Sequence, residues 1–106
     1  MSTYGDAIAA DRRICILRML EQLASYSANE SVVQIVLEQF GYSESRDAVR
    51  TDLGWLQEQG VITVEVVAGR IWVAKLTDRG CDVAKGRVSV PGINRPSPDN
   101  APTTRS

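Results

Sequence analysis

The hydrophobic period of this chain changes abruptly at Gly60. Over Ser43–Gly60, SESRDAVRTDLGWLQEQG, apolar Val49, Leu53 and Leu56 recur at the spacing of one helical face, and Arg46, Asp47, Arg50 and Thr51 occupy another. From Val61 the period is 2. In VITVEVV, Ile62, Val64 and Val66 point one way and Thr63 and Glu65 the other. Ala68-Gly69-Arg70 is a short turn with glycine available for positive φ, and the strand formers IWVAKL follow. A helix running straight into an antiparallel hairpin narrows the choice of folds. A lone hairpin is unstable in water, so this one must lie on helices.

The helix has its own boundaries. Ser43 or Ser45 can cap it, Asp47 suits the positive end of its dipole, and Gly60 ends it. Gly54 sits inside it at a cost of about 1 kcal/mol relative to alanine, which suggests close approach of another backbone. Trp55 belongs at the margin of the core.

Upstream, residues 1–5 carry no periodic signal and are expected to fray. A helix is predicted from about Asp6 to Ala24. Ile16, Leu20 and Leu23 form one apolar stripe, and Ile14, Leu17 and Ala24 a second. A helix apolar over so much of its circumference is buried on two sides. The second side meets either another subunit, giving a homodimer through residues 6–24, or a C-terminal helix of the same chain. Ser25–Asn29 reads as a turn, with Ser27 and Glu30 at capping-box spacing. A helix over about Ala28–Phe40 follows, its stripe made by Val33, Val36, Leu37 and Phe40, with Gly41 as C-cap. After the hairpin, Thr77 opens a last helix to about Lys85, and Gly86 stops it. The segment VSVPGINRPSPDNAPTTRS holds all four prolines. Residues 91–106 are therefore expected to be a disordered tail, with Val88, Val90 and Ile93 able to dock locally.

At 106 residues the chain makes one domain. No apolar run approaches the roughly 20 residues that span a bilayer, and the N-terminus lacks a secretory pattern. The cytoplasm is the expected compartment. There is no histidine, and Cys15 and Cys81 are far apart. Two distant thiols are read as buried cysteines rather than a metal site, which usually takes four ligands. No cofactor is expected. An enzyme is not expected either: the serines have no histidine to activate them, and Asp47 and Asp52 lie about 140° apart on their helix.

Three helices, a hairpin and a closing helix, in the order α-α-α-β-β-α, form a winged helix-turn-helix pattern over residues 6–90, mainly α with a small antiparallel hairpin (an α+β class). The stretch LGWLQEQGVITVEVVAGRIWVAKLTDRG resembles the centre of MarR-like and ArsR-like winged-helix regulators. There the recognition helix ends in Leu-x-x-x-Gly-hydrophobic, here Leu56 to Val61, and the wing leads into Leu-Thr-x-x-Gly, here Leu76 to Gly80. Over about residues 11–98, including DRRICILRMLEQL, YSANES, SRDAVRTDLGWL and PGINRPSP, the chain resembles a family of small Mu-like prophage proteins labelled ArsR-like regulators. Two ArsR metal-sensing features are missing: a paired cysteine motif on the third helix and a His/Asp set at the C-terminus. Metal-regulated release is therefore not expected.

The resemblance implies a phage or prophage transcriptional regulator that binds double-stranded DNA, with helix 45–59 in the major groove and hairpin 61–76 as wing. Its contact residues would be Ser43, Ser45, Arg46, Arg50 and Thr51 on the helix and Gly69, Arg70 and Lys75 on the hairpin. Arg46 or Arg50 would read guanine, and Arg79, Lys85 and Arg87 would add phosphate contacts if they share that side. Charge speaks for a competing reading, a winged helix repurposed for protein–protein contact. Net charge is −1, whereas DNA-binding domains are commonly basic. Residues 1–69 hold 5 basic and 10 acidic side chains, and residues 70–106 hold 7 and 3. In that reading Arg50 simply pairs with Asp47 or Glu44.

Overall fold

The computed structural model describes residues 3–101. Order begins earlier than composition suggests. Helix α1 (Tyr4–Gln22) starts at a capping box in which the Thr3 hydroxyl accepts from the Asp6 N–H and the Asp6 carboxylate accepts from the Thr3 N–H. Thr3 to Gly5 are thus a capped helix start and not a frayed end; Met1 and Ser2 lie outside the described residues.

After α1 the chain makes a 3-10 turn (Ala24–Tyr26), with Ser25 and Tyr26 both in the left-handed region, and then a strand that periodicity could not reveal. Strand β1 (Ser27–Asn29) is three residues long and pairs antiparallel with β3 (Ile71–Leu76), Ser27 opposite Lys75 and Asn29 opposite Val73. Ser27 is therefore in a strand and caps nothing. Asn29 caps helix α2 (Glu30–Gln39), its Oδ1 accepting from the Val32 N–H at 2.9 Å. Gly41, at φ +88°, ends that helix as expected.

Helix α3 (Arg46–Glu58) is capped by Ser45, whose Oγ accepts from the Ala48 N–H at 3.0 Å. Strand β2 (Ile62–Val67) follows, pairs with β3, and completes a three-stranded antiparallel sheet in the order β1-β3-β2. Thr77 caps helix α4 (Asp78–Ala84) and also donates to the Gly60 carbonyl at 2.8 Å, so one hydroxyl closes both the α3–β2 corner and the start of α4. Among the described residues the architecture is α+β, four helices and one small sheet, in the order α-β-α-α-β-β-α. No described helix is long and apolar enough to cross a membrane.

Ile14, Cys15, Ile16 and Leu17 are all buried, so α1 is enclosed on all sides at that level, while its first turn is exposed. Val33, Leu37, Val49, Leu53 and Leu56 of α2 and α3 belong to the same buried cluster. Of the second stripe, Ile14 and Leu17 are fully buried within this chain, where α1 packs on α4, while Ala24 is exposed. The stripe that suggested a homodimer through residues 6–24 thus has an intramolecular occupant. The Cys15 thiol is pushed up to about 12 by that burial and, next, by Asp11. Cys81 is half-buried, and both cysteines are free.

The C-terminal segment departs most from expectation. Residues 91–101 lie along α1 in fixed contact, and 102–106 fall outside the described residues. The cause is side-chain capture of the backbone. Arg13 donates to the Gly92 carbonyl at 3.0 Å, Arg18 donates to the Ser97 carbonyl at 2.5 Å and to Asn100 Oδ1 at 2.6 Å, and the Asn94 N–H donates to the Ala10 carbonyl. Gly92 lies against Trp55, where an added Cβ would sit 2.9 Å from the ring. Trp55 is at the core margin, stacked on its other contact by Arg13 at 3.8 Å.

Two glycines separate packing from propensity. A Cβ on Gly80 would lie 2.0 Å from the Val61 carbonyl oxygen, so the Leu-Thr-x-x-Gly motif ends in a true close approach. A Cβ on Gly54 meets nothing within 4 Å, contrary to the close approach expected there. In urea unfolding followed by circular dichroism, Gly54→Ala should stabilise the protein by about 1 kcal/mol, while Gly80→Ala should destabilise it by about 3 kcal/mol or more.

Candidate nucleic-acid interface

Position 30 is where β1 stops being a strand. The register that pairs Asn29 with Val73 would place the next rung at residue 30 opposite Trp72. The chain turns into α2 there, and the Glu30 side chain supplies what the backbone no longer can: Oε2 accepts the Trp72 N–H at 2.9 Å. Glu30 is only 1% exposed. An unpaired carboxylate so placed costs several kcal/mol. Arg50 on α3 meets it with a two-point contact, Nε to Oε1 at 2.6 Å and Nη2 to Oε2 at 2.9 Å. The same Nη2 donates to the Arg70 carbonyl at 2.6 Å, and the guanidinium lies 5.1 Å over the Trp72 ring. One carboxylate and one guanidinium therefore join β1, α2, α3 and the tip of the β2–β3 hairpin. Arg50 holds the Glu30 carboxyl down at about 2, against the opposing effect of burial and with help from the Trp72 N–H. Glu30 in turn raises the Arg50 pKa.

The partners of Arg50 are Glu30 and the hairpin tip, not Asp47 or Glu44. From the sequence Arg50 is expected on a DNA-reading face, with Asp47 or Glu44 as its alternative partner. Its Nε and Nη2 are instead committed to Glu30 and the hairpin. Glu44 and Asp52 are committed elsewhere: Arg12 of α1 donates to both carboxylate oxygens of Asp52, at 2.5 and 2.8 Å, and lies 3.4 Å from Glu44. Beside them Tyr42 donates to Asp11, also on α1. Asp52 is buried, so the acidic load of α3 lies partly inside the fold. The outer face of its N-terminal half carries Asp47, Thr51 and Arg46. Arg46 is 52% exposed and leans on α2, donating to Ser31 Oγ at 3.1 Å and Gln34 Oε1 at 3.4 Å.

The other expected residues fall into two groups. Ser43 is exposed ahead of α3, Ser45 is its N-cap, and Thr51 is exposed with its hydroxyl donating to the Asp47 carbonyl. At the hairpin tip the Arg70 N–H donates to the Val67 carbonyl at 3.2 Å, across Ala68 at φ 55° and Gly69 at φ 71°. Positive φ at both central positions defines the turn type that matches strand twist. Glycine takes it freely, whereas alanine pays about 1–2 kcal/mol. Arg70 is exposed at the tip. Lys75 is exposed too, but it lies about 13 Å back along the strand. Of the more distant basic residues, Arg79 donates to the Gln59 carbonyl, at the C-terminal end of α3 and about 20 Å from its start. Lys85 pairs with Glu21 of α1, and Arg87 with Asp82 of α4. The interface thus gathers Ser43, Ser45, Arg46, Thr51, Gly69 and Arg70 around the Glu30–Arg50 pair.

Glu30 gained its partners through tertiary contact alone. Its folded pKa is depressed, so its contribution to stability is present above the unfolded carboxyl value of about 4.3 and is lost as pH falls through about 2. Glu30→Gln should destabilise the protein by about 2 kcal/mol near neutral pH. The gap between wild type and variant should close as urea unfolding is repeated from pH 5 down toward pH 2.

No protein-family model matches the chain, and no solved structure gives a significant match. Two relatives do. The chain is 46% identical over 94 residues to the uncharacterized protein gp26 of Escherichia phage Mu, covering 89% of this chain and 96% of gp26. It is 42% identical over 77 residues to an uncharacterized protein of Haemophilus influenzae, covering 73% of this chain and 74% of that relative. With almost all of gp26 matched at this identity, the chain belongs to the family of phage Mu gp26.

Proposed function

We propose that the chain is a winged-helix DNA-binding protein, a phage transcriptional regulator that lays α3 in the major groove and uses the β2–β3 hairpin as wing. The observation that carries this reading is the link from Glu30 through Arg50 to the Arg70 carbonyl, which holds the start of α3 and the hairpin tip as one unit. Reading a duplex at two adjacent grooves needs two contact elements at fixed separation. The element order and the sheet order β1-β3-β2 support the fold assignment. The kinship with phage Mu gp26 supports a phage setting.

Roles follow from availability. Arg46 reaches base edges or phosphate. Ser43 and Ser45, with the α3 N-terminus, suit phosphate oxygens. Thr51 adds a hydroxyl contact on the same face. Arg70 enters the neighbouring groove over Gly69, and Lys75 attracts phosphate from farther back. Arg50 positions the wing and does not read bases. With so few cations facing the duplex, binding is weak at physiological salt and strengthens as salt falls.

A second reading, a protein-contact module, rests on a separate observation: Val32 and Ile35 are exposed on the outer face of α2. Fluorescence anisotropy with phage and mixed-sequence duplexes across a salt series separates the two. DNA binding predicts a steep fall with salt. Arg46→Ala should lose about 1–3 kcal/mol, and Arg70→Ala should weaken all sequences alike while reducing the salt slope by about 1. No binding even at low salt would overturn the DNA reading in favour of protein contact.

A further inference from the structure

We infer that the hairpin tip is an apolar wedge that opens the minor groove and kinks the duplex, an inference that rests on the DNA reading above. The tip is unlike a solvated turn. Val66, Val67 and Ile71 are 51%, 42% and 37% exposed. Register puts them on opposite faces: Val66 pairs with Trp72 on the helix side of the sheet, and Val67 pairs with Ile71 on the outer side. A patch built for a flat protein partner gathers its apolar side chains on one face. Here they flank both faces of a two-stranded prong, with Arg70 exposed at its tip.

The prong is also stiff. Arg50, fixed by Glu30, donates to the Arg70 carbonyl, so the tip meets a ligand without losing much freedom. The turn keeps Ala68 at φ 55°, where asparagine or glycine would sit without strain and asparagine would be better solvated. Strain retained at an exposed apolar tip fits a contact surface.

Size then dictates what contact does. Two paired strands are about 4.8 Å apart before side chains are added, and an undistorted minor groove is only about 6 Å wide. The prong enters only if the groove widens. Apolar side chains driven against a base step do this by partial unstacking, which bends the duplex toward the major groove by roughly 20–90°. Pyrimidine–purine steps such as TpA yield most easily.

The test is energy transfer between dyes on the two ends of mixed-sequence duplexes, with and without a central TpA step, at low salt. Bound wild-type protein should raise transfer, most strongly with TpA. The variant Val66→Ser/Val67→Ser/Ile71→Ser should bind more weakly and, at protein concentrations that saturate the duplex, leave transfer at the free-DNA level. Wild-type protein should also brighten 2-aminopurine placed at the central step, a readout that needs no variant. Binding without a rise in transfer and without brightening overturns the wedge and leaves the DNA reading intact, as does a variant that bends DNA like wild type. No binding to any duplex overturns both.

Discussion

The carboxylate of Glu30 sits at the junction of every element that faces outward from α3. It is buried, it stands in for the missing strand rung opposite Trp72, and it is neutralised by Arg50. A buried ion pair contributes little net stability against a well-packed apolar alternative. Its effect is on arrangement. The pair is satisfied only when β3, α2, α3 and the hairpin tip all take their observed places, because a shift of any one would strand a charge or a strand N–H. The hairpin, which by itself would be marginal, thereby acquires a fixed direction relative to α3.

A second set of charges does the same on the other side of α3. Arg12 holds Asp52 and lies near Glu44, while Arg13 stacks on Trp55, so α1 anchors the inner face of the helix. Both sets draw acidic side chains inward. On α3 itself the buried Asp52 and the committed Arg50 offset one another, so its outward charge is carried by Arg46 against Asp47 and Glu58.

Much of this was readable in advance where local periodicity rules. The three long helices, the hairpin and the caps at Ser45 and Thr77 follow from apolar spacing and short-range hydroxyl chemistry. Strand β1 is invisible because three residues cannot show alternation, and because the polar Ser27 and Asn29 look like a turn. The Glu30–Arg50 pair spans 20 residues, and local rules offer Arg50 the nearer Asp47 and Glu44 instead. The segment 91–101 has the composition of a disordered tail. It is held by two arginines of α1 that bind its carbonyls, which no count of apolar residues foresees. At the candidate interface, the exposed members Ser43, Arg46, Thr51 and Arg70 were legible from helix phase and turn position. The commitment of Arg50 was not.

The Glu30 carboxylate fixes the hairpin to the helices. Amide hydrogen exchange followed by NMR in wild type and Glu30→Ala tests it most directly. Removing the carboxylate should strip protection from the Trp72 amide and loosen the hairpin tip, while Ala74, paired on both sides at the centre of the sheet, stays protected. Unchanged exchange at Trp72 would contradict the account.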